Sequence, residues 1–153
     1  MSPNTTLPPD VATMRKAVDL LLDPDAAVPD NEHLAALTTR LRGHLFLMIH
    51  VVEGLALQVP AADIPRWCAL AAVGEAQTRV RVEPGWGPPD GYPAHARRLA
   101  RALNALCDHY DALTGVRTCV LCDKPIEDLA KSLPYRQLTG EAGASARVHD
   151  TCV

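Results

Sequence analysis

The chain has 153 residues, enough for one domain with its own core and a small appendage. Apolar residues make up 48% of it, which excludes a disordered chain. Aromatics make up only 4%, so the core must come from Leu, Ala and Val, a mixture that favours packed helices over sheets. Against 18 acidic residues stand 15 basic ones, and the net charge of −3 gives no chain-wide attraction for nucleic-acid phosphates.

The opening MSPNTTLPPD lacks the basic start and apolar stretch of a signal peptide. No apolar run reaches the roughly 18 residues that a membrane span requires. Five cysteines are an odd number, and three of them stand at metal-ligand spacings. That usage fits a reducing cytoplasm better than a disulfide framework, so a cytoplasmic location is expected.

Proline and glycine divide the chain into four helical segments and a tail. Residues 1–9 read as a flexible N-terminus, 10–115 as a four-helix bundle and 116–153 as the tail. The first helix follows Pro8-Pro9 with Asp10 as its N-cap, and Val11, Met14, Val18 and Leu21 recur at steps of three and four. Pro24 and Pro29 bracket the loop that ends it. Asp30 or Asn31 caps the second helix, whose apolar face runs through Leu34, Leu37, Leu41, Leu45, Met48, Val52, Leu55 and Val59 to Pro60.

The third helix starts at Asp63, takes Pro65 in its first turn and runs to about Val82. Its packing face is expected to be small, formed by Cys68, Ala71, Ala72 and Gly74. Residues 83–93, EPGWGPPDGYP, have a loop composition, and Trp86 within them reads either as a contact point for a partner or as a lid on the bundle. Pro93 opens the fourth helix, where Leu99, Leu103, Leu106, Tyr110 and Leu113 form a stripe, and Gly115 stops it. The predicted fold is mainly α, an antiparallel four-helix bundle carrying a small zinc-stabilised β-hairpin tail.

In the tail, Tyr135–Leu138 and Ser145–Val148 read as short strands around a turn containing Gly140 and Gly143. A two-stranded hairpin is marginal by itself and needs a staple. Cys119-Val-Leu-Cys122 and His149-Asp-Thr-Cys152 supply two matched ligand pairs, as tetrahedral zinc requires. A closed Cys3His shell leaves no position for substrate, so the expected Zn2+ is structural and contributes folding free energy. The competing reading, a Cys119/Cys122 redox pair, calls for a strand before the motif and a helix after it; here a bundle precedes and Lys124-Pro125 follows.

Chemistry in the bundle has weaker signals. His50 and Glu53 share a helical face, but a di-metal bundle needs a Glu-x-x-His motif that the sequence lacks, and a solvated face explains them better. His44 borders the apolar seam and reads first as a buried histidine with one satisfied hydrogen bond; should it face a pocket, it is a candidate acid or base, with Arg40 one turn before it and Glu75 of the third helix as a further candidate. Arg79, Arg81, Arg97, Arg98 and Arg101 read as solvated arginines, or as a contact for a phosphate or an acidic partner. Cys68 and Cys107 are expected to pack as small hydrophobes. No cofactor fingerprint or catalytic constellation is present.

Leu41-Arg-Gly-His44, Trp67-Cys-Ala-Leu-Ala-Ala-Val-Gly-Glu75 and the stretch His95 to Tyr110 together resemble an uncharacterised family of small helical proteins from filamentous actinobacteria, often labelled natural product biosynthesis proteins. The resemblance covers roughly residues 30–114. It implies a helical, cytoplasmic protein with a link to secondary metabolism, and no site residues. The tail resembles treble-clef and zinc-knuckle modules in its Val-His-x-x-Cys ending, but lacks the helix that follows there.

Two functions remain in competition. One is a non-enzymatic interaction or regulatory protein with a protein partner and an open oligomeric state, for which nucleic acid is a disfavoured partner. The other is an accessory enzyme or ligand-binding protein of natural product biosynthesis, using a pocket in the bundle.

Overall fold

The computed structural model describes residues 7–82, 91–115, 117–126, 131–134 and 147–153. The chain divides into two compact units, Met1–Tyr110 and Asp111–Val153. The N-terminal expectation for residues 1–6, the loop at 83–90 with Trp86, and the strand Tyr135–Leu138 with its glycine turn lie outside the described residues.

In the first unit, four helices pack on one another. The first, α1 (Val11–Leu22), begins where Asp10 accepts the backbone N–H of Thr13 at 3.0 Å and its hydroxyl at 2.7 Å. The second, α2 (Asn31–Gln58), begins in the same way, with Asp30 accepting the His33 N–H at 2.9 Å. In each case the carboxylate satisfies a donor that the first helical turn leaves free. The apolar face of α2 buries Leu41, Leu45, Met48 and Val52 completely, as the three-and-four spacing predicts. Toward the C-terminus the buried ridge passes through Ala56, and Leu55 is only half-buried.

A short corner joins α2 to α3 (Ile64–Arg81), the helix against which α2 packs most extensively. Arg66 reaches back to the end of α2 and donates to the carbonyls of Val59 at 3.0 Å and Leu57 at 3.4 Å. Its guanidinium lies 5.9 Å from the ring of Trp67, whose Nε1 donates to the Ala61 carbonyl at 2.8 Å. Carbonyls that a helix end leaves unsatisfied are thereby given donors from the next helix.

The expected small face of α3 is corrected by the structure. Cys68, Ala71 and Gly74 are exposed, Ala72 is half-buried, and the core-facing ridge is Ala69, Val73, Ala76 and Val80. That ridge steps 4-3-4 along the helix and shares no residue with the expected face. Cys68 accordingly does not pack as a small hydrophobe, whereas Cys107 does and is fully buried.

The fourth helix, α4 (Gly91–Leu113), already includes Gly91 and Tyr92, two residues whose composition suits the preceding loop. Leu99, Leu103 and Leu106 are fully buried, and Ala96 and Ala100 fill the turns between. Burying each such leucine contributes about 1.5–3 kcal/mol. Arg15 of α1 ties to α4 by Nη1, which donates to Asn104 Oδ1 at 3.0 Å and sits 3.0 Å from Asp108 Oδ1. At the C-terminal end Gly115 takes φ +82°, the left-handed cap conformation that glycine adopts without a Cβ penalty.

The second unit begins in the last turn of α4 and holds two small antiparallel ladders. In the first, β1 (Arg117–Thr118) pairs with β2 (Pro125–Ile126) in the register Arg117 to Ile126 and Thr118 to Pro125. In the second, β3 (Ser132–Pro134) pairs with β4 (Arg147–His149), with Leu133 opposite Val148. The later of the two predicted strands thus survives as Arg147–His149. Its partner among the described residues is Ser132–Pro134. Among those residues no helix is long and apolar enough to cross a membrane.

Candidate metal centre

The site is built from two turns. On the first, Cys119 closes β1, and its N–H donates to the Lys124 carbonyl at 2.9 Å while its own carbonyl accepts the Asp123 N–H at 2.9 Å. These bonds fold residues 119–124 into a tight knuckle that carries Cys122 back toward Cys119. Closing it requires a left-handed residue, and Asp123 supplies it with φ 58°. Aspartate is among the few non-glycine residues that visit this region readily, because its short polar side chain bonds locally.

On the second turn, His149 ends β4 and Asp150–Cys152 form a single 3-10 turn that returns Cys152 toward the histidine. The two turns are stitched together by the Val120 N–H, which donates to the Arg147 carbonyl at 3.1 Å, and by the His149 N–H, which donates to Cys119 Sγ at 3.3 Å. Beneath them, Ile126 and Val148 pack against Cys119, with Cys152 at the edge. Arg147 fixes the strand pair, donating from Nε to the Ser132 hydroxyl at 2.7 Å and from Nη2 to the Ser132 carbonyl at 3.0 Å.

The outcome is that one ligand atom from each of Cys119, Cys122, His149 and Cys152 lies within 4.8 Å of every other. These four residues lie close enough together to hold a metal ion. His149 presents Nδ1, which is 3.3 Å from Cys122 Sγ and 3.8 Å from Cys152 Sγ. Four tetrahedral bonds of 2.0–2.3 Å set donor–donor separations of roughly 3.3–3.8 Å, so these spacings fit a single small ion.

Burial pushes the Cys119 thiol up. The N–H groups of His149, Leu121 and Cys122 aimed at its sulfur outweigh that and bring it down to about 6. Cys152, by contrast, is pushed up to about 11 by burial and by its hydrogen bonds to Cys122 and Cys119. One sulfur is therefore prepared as a thiolate by backbone donors, and another holds its proton against its neighbours. A cation at the centre reverses the second effect, since a coordinated thiol is deprotonated outright.

All four tail residues singled out from the sequence are thus brought together. The groups that support them are not marked by the ligand spacing: the N–H donors to Cys119, the left-handed Asp123, and the Ile126–Val148 packing. The Lys124-Pro125-Ile126 run after Cys122 is the available signal, since a turn followed by an apolar residue closes a knuckle.

The bundle candidates sit differently. His44 is half-buried, and its buried Nε2 has no hydrogen-bond partner among the described residues. Burial, and then Arg40 one turn away, lower its pKa, while Asp10 acts in the opposite sense. Glu75 is exposed and lies 3.7 Å from Arg79 of its own helix. His50 is exposed and Glu53 half-buried.

A family model described as a family of unknown function, DUF6415, matches residues 12–115. The chain belongs to this family. The DUF6415 match spans all four helices and ends at the glycine that stops α4; the Cys3His tail lies beyond the matched residues. No curated protein and no solved structure matches the chain.

Proposed function

We propose that Cys119, Cys122, His149 and Cys152 hold one structural Zn2+, and that this DUF6415 protein acts without catalysis, as an interaction or regulatory protein of the reducing cytoplasm. The observation that carries the reading is the convergence of three thiols and one imidazole nitrogen within 4.8 Å of one another, with Cys122 and Cys152 Sγ at 3.3 and 3.8 Å from His149 Nδ1. Three sulfurs and a nitrogen favour zinc over the hard cations, which take oxygen ligands. Four protein ligands complete the shell and leave no position for water, so the ion supplies folding free energy and no Lewis-acid chemistry.

The interaction role rests on what the ion stabilises. Val120 and Leu121 stand exposed on the knuckle and Leu133 on β3, apolar groups held out to solvent by a fold that a metal organises. A protein partner suits such a surface, and the net charge of −3 argues against nucleic acid. The place in secondary metabolism rests on the sequence resemblance alone.

Elemental mass spectrometry of the untagged protein tests the first half. One zinc per chain is expected, absent after Cys119→Ser with Cys152→Ser. Turnover of a small molecule by the purified protein, unaided, would contradict the second half.

A second reading, an accessory enzyme or ligand-binding protein of natural product biosynthesis, is favoured by His44 alone. Its Nε2 is buried with no hydrogen-bond partner among the described residues, and burial lowers its pKa, features that suit a proton-accepting group. This reading requires turnover that His44→Gln removes while leaving the fold and the zinc content unchanged.

A further inference from the structure

A cleft of about 380 Å3, open on one side, lies between α1 and the N-terminal half of α2. Its volume falls within the range of small-molecule sites. Most of its surface is apolar, contributed by Leu20 of α1, Pro29 of the connection, and Ala36 and Leu37 of α2. Three polar side chains join that wall: Asp30, His33 and Arg40. On α2 the positions 30, 33, 37 and 40 follow a 3-4-3 spacing, so they form one continuous row along the helix.

The polar groups are not equivalent. The Asp30 carboxylate is already engaged as the N-cap, accepting the His33 N–H at 2.9 Å and facing His33 Nδ1 at 2.8 Å. Arg40 has no hydrogen bond or ion pair among the described residues, although it lines the same cleft. Ten residues of helix separate the two, roughly 15 Å along the axis. The cleft therefore has at one end a guanidinium unpaired among the described residues, at the other an acid satisfied by its own cap and His33, and between His33 and Arg40 the hydrocarbon of Ala36 and Leu37.

We propose that this cleft binds a small anionic amphiphile, its carboxylate on Arg40 and its hydrocarbon chain against Ala36, Leu37, Leu20 and Pro29. A guanidinium grips a carboxylate through two parallel N–H donors, so head and tail are each recognised by chemistry already in place. The distance between Arg40 and Asp30 sets the polarity, drawing the head to the arginine and keeping it from the cap. This site is independent of the zinc reading and uses none of its residues.

The test is a titration of the full-length protein with octanoate, followed by the backbone and methyl NMR signals of Ala36 and Leu37. Acetate, with the head and no tail, and 1-octanol, with the tail and no charge, serve as controls. Octanoate is expected to shift these signals saturably in the millimolar range or below, at least about tenfold more tightly than either control. Arg40→Met, which keeps the apolar stem, is expected to weaken octanoate about tenfold and leave 1-octanol unchanged. Ala36→Trp, at an exposed position that fills the cleft, is expected to abolish both. The proposal is overturned if octanoate does not saturate, if 1-octanol binds as well, or if Arg40→Met binds octanoate like the parent. A thermal melt of each variant separates loss of binding from loss of fold.

Discussion

At the scale of single residues, carboxylates at helix starts and sulfurs at turns do similar electrostatic work. Asp30 collects the His33 backbone N–H and then its imidazole, and these hold its carboxyl below the ordinary value of 3.8. A carboxyl depressed on folding contributes stability that is present above its unfolded pKa and lost as pH falls through the folded one. Asparagine caps as well as aspartate but does not titrate. The advantage in thermal midpoint of the parent over Asp30→Asn is therefore expected to shrink as pH falls from about 5 to about 3. An unchanged difference over that range would show that the charge of Asp30 adds nothing. Cys119 is the sulfur counterpart, its thiol lowered against burial by the N–H groups of His149, Leu121 and Cys122. Both caps are legible in the sequence, because Pro8-Pro9-Asp10 and Pro29-Asp30 announce a helix start. The N–H shell of Cys119 is not, because it depends on where β4 places the His149 backbone.

At the scale of elements, legibility follows the contrast between the faces of each helix. In α4 the leucines recur at steps of three and four against polar neighbours, and in α2 the same spacing runs from Leu34 to Val52 even though Phe46 and Leu47 beside it stand exposed, so the pattern sets the phase of the buried face. In α3 small apolar residues occur on every side, and Cys68-Ala71-Ala72 looks as suitable for packing as Ala69-Val73-Ala76. The deciding signal lies in the second half of the helix, where Ala76 and Val80 continue one ridge while Glu75 and Thr78 end the other. Substitution distinguishes them. Ala69→Leu, at a fully buried position, is expected to overpack the α2–α3 interface and cost about 1–3 kcal/mol, read from chemical denaturation. Ala71→Leu, at an exposed position, should stay within about 0.5 kcal/mol of the parent. Equal costs would return the packing face to the small residues on the other side. The strand Ser132–Pro134 escapes sequence reasoning for a different reason. It lacks the β-branched and aromatic residues that mark strands and ends in proline, and its pairing is fixed by Arg147 and by the position of His149.

At the scale of the whole molecule, two units of different origin of stability share one chain. The first has a core of buried leucines, and its helices fill the stretch matched by the DUF6415 family. Among the described residues, the second centres on Cys119, Ile126 and Val148 with part of Cys152, little apolar surface to set against the entropy of ordering its turns. On the proposed reading, a bound zinc supplies the difference. Stripping the metal with a chelator is expected to collapse the Ile126 and Val148 methyl signals while the far-UV helical signal persists, and added zinc should restore them. Loss of helix in step with the tail would mean that the two units do not stand apart energetically.

The most direct test of the central claim is zinc K-edge X-ray absorption on the untagged, full-length protein. One zinc is expected, with three sulfurs at about 2.3 Å, one nitrogen at about 2.0–2.1 Å and no oxygen in the shell. A shell containing oxygen would contradict the closed structural site, and a protein without zinc whose Cys119 and Cys122 form a disulfide would contradict the metal centre itself.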